Sequence, residues 1–198
     1  MRTNLMAPTI LITAFDSFGD RCYNPTEKML GMLPDDGVEK LLLPTSFSRA
    51  PELLRAKIEE ISPAAVICTG LASGRDRVSL EFAALNIKDA DISDNDGERA
   101  SGESVIPCKP NALFTTLDLG AYSKIIRDAG VPCRVSYHAG TFVCNCVYYH
   151  LLSLCVPGVF IHIPDDGISA PREDATQLRL EDSARAVSIV ISELKKSF

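Results

Sequence analysis

Three residues whose types can share nucleophilic chemistry stand far apart in the chain: Glu81 in VSLEFAALN, Cys144 in AGTFVCNCVYYHLL and His162 in VFIHIP. If a strand ends near His138 and the residues at 140–141 form a turn, Cys144 falls in the first turn of the next helix. Unpaired backbone N–H groups and the positive dipole end favour a thiolate there, and can face the oxyanion of an attacked carbonyl. The alternative is a small core residue, the usual state of a cysteine in an apolar helix. Along VFIHIP, Phe160 and His162 share one face while Val159, Ile161 and Ile163 share the other. A histidine near the end of a buried strand lies where open α/β sheets place their ligand crevices; the alternative is a satisfied core histidine. Glu81 stands between apolar neighbours, where a carboxylate is costly without a partner. Orienting a catalytic imidazole would supply one, and so would an ion pair with Arg75 or Arg77.

The competing chemistry is a metal site built from His138, Cys144, Cys146 and His150. On a helix, Cys144 and Cys146 point roughly 200° apart, at about 100° per residue. Such a pair cannot close one tetrahedral site, and no CxxC pair stands elsewhere. No zinc site is therefore expected.

The elements that must position these residues alternate. TILITAF (9–15), AAVICTGL (64–71) and GVFIHIP (158–164) are near-continuous apolar runs, as strands covered on both faces are. KLLLPT (40–45) and CRVSYH (133–138) read as further strands, and 78–92 is extended in character. Helices are predicted from about Pro25 to Leu33, over 51–63, over 119–129 up to Gly130, over 143–152, and from about Leu180 to Leu194. A polar loop fills the stretch from the last strand to about Gln177. The expected fold is an α/β three-layer sandwich, with a largely parallel, twisted central sheet flanked by helices, and residues 1–198 forming one domain.

Composition narrows the function classes. A chain of 198 residues with net charge −6 and scattered basic residues carries no electrostatic footprint for nucleic acid. No apolar run reaches the roughly 20 residues of a membrane span, and the apolar N-terminal stretch runs into a strand rather than reading as a signal peptide. Seven cysteines, an odd number and mostly within apolar segments, suit free thiols in the cytoplasm better than a disulfide framework.

Taken together, ILITAFDSFGDRCYNP, VICTGLASGR, LEFAALNIKDADISDNDGE, VSYHAGTFVCNCVYY and VFIHIP resemble the pyroglutamyl peptidase I (pyrrolidone-carboxylate peptidase) family of cysteine peptidases, in order and approximate spacing. AGTFVCN and FIHIP are the most diagnostic pieces. The resemblance implies a Cys-His-Glu triad of Cys144, His162 and Glu81 that cleaves after an N-terminal 5-oxoproline through a thioester. It further implies a lactam pocket lined by Phe15, Phe18, Thr45, Ile92, Phe142 and Val143, with the backbone of Leu71 pairing with the ring amide and Asn24 shaping the first loop. N-terminally pyroglutamylated peptides are the implied substrates, no cofactor is needed, and a homo-oligomer, tetramer or dimer, is implied.

The chain departs from the family pattern at several positions. Phe82 and Asp91 stand where arginines are usual, Ala14 where a glycine is, Ser17 where a proline is, and Cys146 where a histidine or aromatic is. A carboxylate at Asp91 near the thiol would raise its pKa. These changes leave two alternatives open: a related thiol amidase for another lactam or small acyl amide, and a non-catalytic family member acting as a binding or assembly protein.

Overall fold

The computed structural model describes residues 9–19, 21–168 and 177–198. Most of the polar loop expected before Gln177 lies outside them. Six strands form the central sheet: β1 (Ile10–Phe15), β2 (Val38–Leu43), β3 (Ala65–Leu71), β4 (Val78–Glu81), β9 (Cys133–Ser136) and β10 (Gly158–Ile163), in the order β2-β1-β3-β10-β4-β9. All neighbours pair in parallel except β10 with β4, so the sheet is largely parallel with one antiparallel junction. β1, β3, β4 and β10 are buried along their whole length, which is why their sequences lack polar alternation.

Helices cover both faces. α1 (Pro25–Leu30), α3 (Leu119–Asp128) and α5 (Leu180–Lys195) pack on the side of Ile12, Ile67, Leu80 and Ile161. α2 (Arg49–Ile61) and α4 (Val143–Ser153) pack on the other, against Leu11, Val66, Cys68 and Phe160. Local chemistry sets the helix ends. Asn24 caps α1, its side chain accepting from Thr26 N–H, with Pro25 at the first position. Asp118 caps α3 by accepting from Ala121 N–H, and Gly130 follows it with φ 85°.

The extended stretch 78–92 divides into three strands. After β4, Phe82 donates its N–H to Ser136 O and accepts from Thr115 N–H. The chain thereby leaves the main sheet and enters a ribbon of β5 (Ala83–Leu85) with β8 (Ala112–Phe114). A second ribbon pairs β6 (Lys88–Asp89) with β7 (Ser101–Glu103). β7 and β8 are three residues long and show no periodicity in the sequence. Sheet, ribbons and α2 enclose α4, which explains a helix as apolar as VCNCVYYHLLS.

Candidate active site

Strand alternation brings the first members of the site together. Along β10, Phe160 and His162 face α4; along β4, Ser79 and Glu81 face the same way, while Val78 and Leu80 enter the opposite core. Glu81 is fully buried, and His162 is 4% exposed. His162 Nδ1 lies 2.7 Å from Glu81 Oε1, and Arg75 Nη1 donates to the same oxygen at 2.6 Å. The two partners weighed for Glu81, imidazole and Arg75, are thus both present. Arg77 pairs with Asp76 instead. The Tyr148 hydroxyl donates to Glu81 O at 2.8 Å, tying the carboxylate's backbone to α4.

Electrostatics fix the protonation pattern. Burial pushes Glu81 up, but the hydrogen bond and charge of His162, with Ser136 and Arg75, outweigh it and leave the carboxyl below its ordinary range. An ionised Glu81 accepts the Nδ1 proton, leaving Nε2 of His162 as the basic atom. Burial lowers the His162 pKa; Glu81 opposes that shift, and Arg75 adds to it. The imidazole is therefore neutral at neutral pH.

Cys144 is the second residue of α4. The helix starts behind an apolar cap residue, Phe142, whose side chain makes no capping bond. The first intrahelical bond runs from Cys146 N–H to Phe142 O, so the N–H groups of the first turn remain available to an oxyanion. The sulfur sits over Gly70, which pairs in register with His162 across β3 and β10. Among the described residues the thiol makes no hydrogen bond to His162. Burial, then the charge of Glu81, pushes the thiol up to about 12. The thiolate expected from the helix dipole is therefore not the resting form. Asp91 is exposed and is not among the groups acting on the thiol; the upward shift has other causes.

Gly70 is a positioning residue that its surroundings reveal. A Cβ there would stand 2.8 Å from Cys144 Sγ and 2.8 Å from Phe160 Cζ. The Phe160 ring is itself fully buried and packs on His162 at 4.7 Å between ring centres. An isolated glycine inside an apolar strand signals this kind of close approach. Gly70→Ala is expected to lower kcat/KM by about 10²-fold by moving the sulfur, with a stability loss of about 1–3 kcal/mol. Wild-type kinetics in a variant with an unchanged Tm would contradict this placement.

Beside Cys144 lies a mostly apolar cavity with about 290 Å³ of empty space, part of it open to solvent. Phe15, Phe18, Phe142 and Val143 supply its apolar walls, and Asn24, Thr45 and Leu71 complete the lining. Phe18 and Phe142 lie 6.2 Å apart, and Phe47 meets Phe142 edge-on at 5.3 Å. Side chains clamp the loop after β1. Asn24 Nδ2 donates to Asp16 O, Thr45 N–H to Asp16 Oδ1, and Asn95 Nδ2 to Ser17 O. Arg21 and Ser73 both bond to the buried Asp165, linking that loop to the chain beyond His162. Ile92 is 53% exposed and does not line the cavity. Ala14 points into the opposite core, away from the cavity. Phe82 packs on Phe114 at 5.3 Å.

The four residues weighed as metal ligands are not gathered. Cys146 is buried with its sulfur 3.6 Å from Phe47 O, His150 borders a surface pocket beside Arg55, and His138 is exposed. Among the described residues no group of three or more His, Cys, Asp or Glu could hold a metal ion. Nor is any described helix long and apolar enough to cross a membrane.

A cysteine at a helix N-terminus, beside a histidine held by a carboxylate in an α/β sheet, is the equipment of a thiol hydrolase. The chain matches the pyroglutamyl peptidase family model over residues 8–196 and belongs to that family. It is 36% identical over 195 residues to the pyrrolidone-carboxylate peptidase of Thermococcus onnurineus, covering 92% of this chain and 96% of the relative. With the enzyme of that name from Pseudomonas fluorescens it shares 42% over 167 residues, 78% of each chain. The crystal structure of Bacillus amyloliquefaciens pyroglutamyl peptidase I superposes with a TM-score of 0.91 at 30% identity, covering 96% of this chain and 97% of that one.

Proposed function

We propose that this protein hydrolyses the amide bond after an N-terminal pyroglutamyl residue, with Cys144 as nucleophile, His162 as base and acid, and Glu81 as the group orienting the imidazole. The observation that carries the reading is the sulfur over Gly70, between the apolar cavity and the Glu81-bound His162. A flat, uncharged five-membered lactam suits walls of Phe15, Phe18 and Phe142, with the polar backbone at Leu71 to fix its orientation.

In the forward step, His162 Nε2 takes the thiol proton as Sγ bonds to the pyroglutamyl carbonyl carbon. The carbonyl electron pair moves onto oxygen, facing the first-turn N–H groups of α4. Collapse breaks the C–N bond, and the imidazolium proton passes to the departing amine nitrogen. A thioester remains. Water then attacks it with His162 again taking a proton; the C–S bond breaks, pyroglutamate leaves, and the thiol is restored. Burial raises the resting thiol pKa, so proton transfer to a neutral His162 is part of the attack rather than completed before it.

The pH dependence follows. His162 must be neutral to act, so its lowered pKa places the acid limb of kcat/KM below the ordinary imidazole value of 6.5. Alkylation of Cys144 by a small reagent should keep rising through the alkaline range toward about 12. A reactivity plateau at neutral pH would contradict the neutral-thiol resting state. The direct test of the reaction is release of free pyroglutamate and a shortened peptide from a pyroglutamyl tripeptide. A folded protein that leaves the peptide intact would overturn the reading.

The same reading takes the chain as one domain and as a homo-oligomer in a reducing, cytoplasmic setting. Exposed Cys22, Cys108 and Cys155 support the compartment, and the exposed Phe82–Phe114 pair supports assembly.

A further inference from the structure

Cleavage after a pyroglutamyl residue fixes a direction across the sheet. The lactam cavity lies over β1 and β3, whereas His162, which must protonate the departing nitrogen, stands one strand further on β10. The leaving peptide therefore extends away from the cavity, over β10 and β4 toward the edge strand β9. One row of register partners gives that direction, running beneath the surface at the buried His162 and Ser79 and emerging at exposed Arg134: Gly70 pairs with His162, His162 with Ser79, and Ser79 with Arg134. Register partners project from the same face of a sheet, here the face that carries the nucleophile.

At the end of the row is an open cleft lined by Arg75, Arg134, Ser136, Tyr137 and His138. Arg75 is engaged with Glu81. Arg134 is exposed; its Nε donates to Ser79 Oγ at 3.3 Å, and its charge acts on the nearby Asp76 without forming an ion pair with it, leaving the guanidinium able to take a further carboxylate. Gly140 N–H donates to His138 Nδ1, which leaves Nε2 to carry the ring proton as an outward donor. The neighbouring Asp76 pairs with Arg77 rather than entering the cleft. A cleft so lined offers hydrogen-bond donors and positive charge, and its lining includes no carboxylate.

Resting on the pyroglutamyl peptidase reading, we propose that this cleft is the subsite for the leaving peptide and that Arg134 selects a carboxylate there. Two strand spacings, about 10 Å, separate the backbone of His162 from that of Arg134, and the Arg134 side chain leans back onto Ser79, which brings its guanidinium to about 7 Å from the reacting nitrogen. An extended chain covers about 3.3–3.6 Å per residue. The carboxylate within reach of Arg134 is thus that of the second residue after the scissile bond, whether the free C-terminus of a pyroglutamyl tripeptide or an acidic side chain at that position. Arginine meets either group with a forked pair of donors. The preferred substrates are short pyroglutamyl peptides with a negative charge at this distance.

The test compares pyroglutamyl-alanyl-alanine bearing a free carboxylate with its C-terminal amide, on the full chain, as the ratio of their kcat/KM values. A ratio taken on one preparation is insensitive to the fraction of folded enzyme. The wild type should favour the carboxylate by about 1.4- to fivefold, the range of a solvent-exposed ion pair, and the preference should shrink as salt is added. Arg134→Gln should bring the ratio to about one by slowing the charged substrate, and Arg134→Lys should restore part of it. An active wild type with equal rates on both peptides, or an unchanged ratio in Arg134→Gln, would overturn the subsite alone. A folded enzyme inert toward both peptides and toward a pyroglutamyl arylamide would overturn the peptidase reading, and the subsite with it.

Discussion

Replacing Cys144 with alanine is expected to reduce pyroglutamyl amide hydrolysis by about 10⁵–10⁶-fold, to the level left by binding and oxyanion donors alone. No other sulfur can take its place. Cys146, two residues on, is 2% exposed and directed at Phe47 O, on another side of the helix. Cys68 is fully buried within β3. Cys146→Ala should therefore keep turnover within a few-fold of wild type while losing about 1 kcal/mol of stability from a small core cavity. The comparison needs kcat on a pyroglutamyl arylamide and a thermal melt for each variant. Equal loss in the two, with both folded, would count against Cys144 as the nucleophile.

The second large effect is expected at the base and its carboxylate. His162→Ala removes the atom that takes the thiol proton, and because burial holds that proton firmly, the loss should approach that of Cys144→Ala. Glu81→Gln keeps the shape but removes the charge that selects the Nδ1–H tautomer, and it leaves Arg75 without its carboxylate. A loss of about 10²–10⁴-fold in kcat is expected. The sign of the accompanying pH change follows from the forces on His162: Glu81 raises its pKa against burial and Arg75. Without that charge the acid limb should move to lower pH even as the rate falls. A Glu81→Gln enzyme with wild-type kcat, or with its acid limb moved upward, would show that the carboxylate serves folding rather than the imidazole.

The frame of this fold was legible because it is built on burial. β1, β3 and β10 are covered on both faces, and that demand writes itself as uninterrupted apolar runs. The antiparallel junction between β4 and β10 left no such mark, nor did β7 and β8, whose three residues are too few for any period. Cys144, His162 and Glu81 stood out as residue types set in apolar surroundings, and the family resemblance joined them. What the linear sequence could not carry was their electrostatics. The helix N-terminus argued for a thiolate, but Cys144 is half-buried where α4 meets the sheet, and desolvation of its sulfur outweighs the dipole. Arg75 was foreseen as a rival to the imidazole for Glu81, yet one carboxylate oxygen accommodates both. Gly70 was visible only as an odd residue in ICTGL; its reason is the sulfur above it.

The neutral thiol decides how the central claim is best tested. A general thiol reagent at neutral pH meets exposed Cys22, Cys108 and Cys155 before it meets Cys144, so selectivity must come from the lactam cavity. A pyroglutamyl chloromethyl ketone carries the recognised ring and sets an alkylating carbon near the position of the scissile bond. Peptide mapping after treatment should find one label, on Cys144, formed in step with loss of activity and suppressed by excess pyroglutamyl peptide. Full activity with Cys144 completely labelled, or inactivation with the label on another cysteine, would contradict the account.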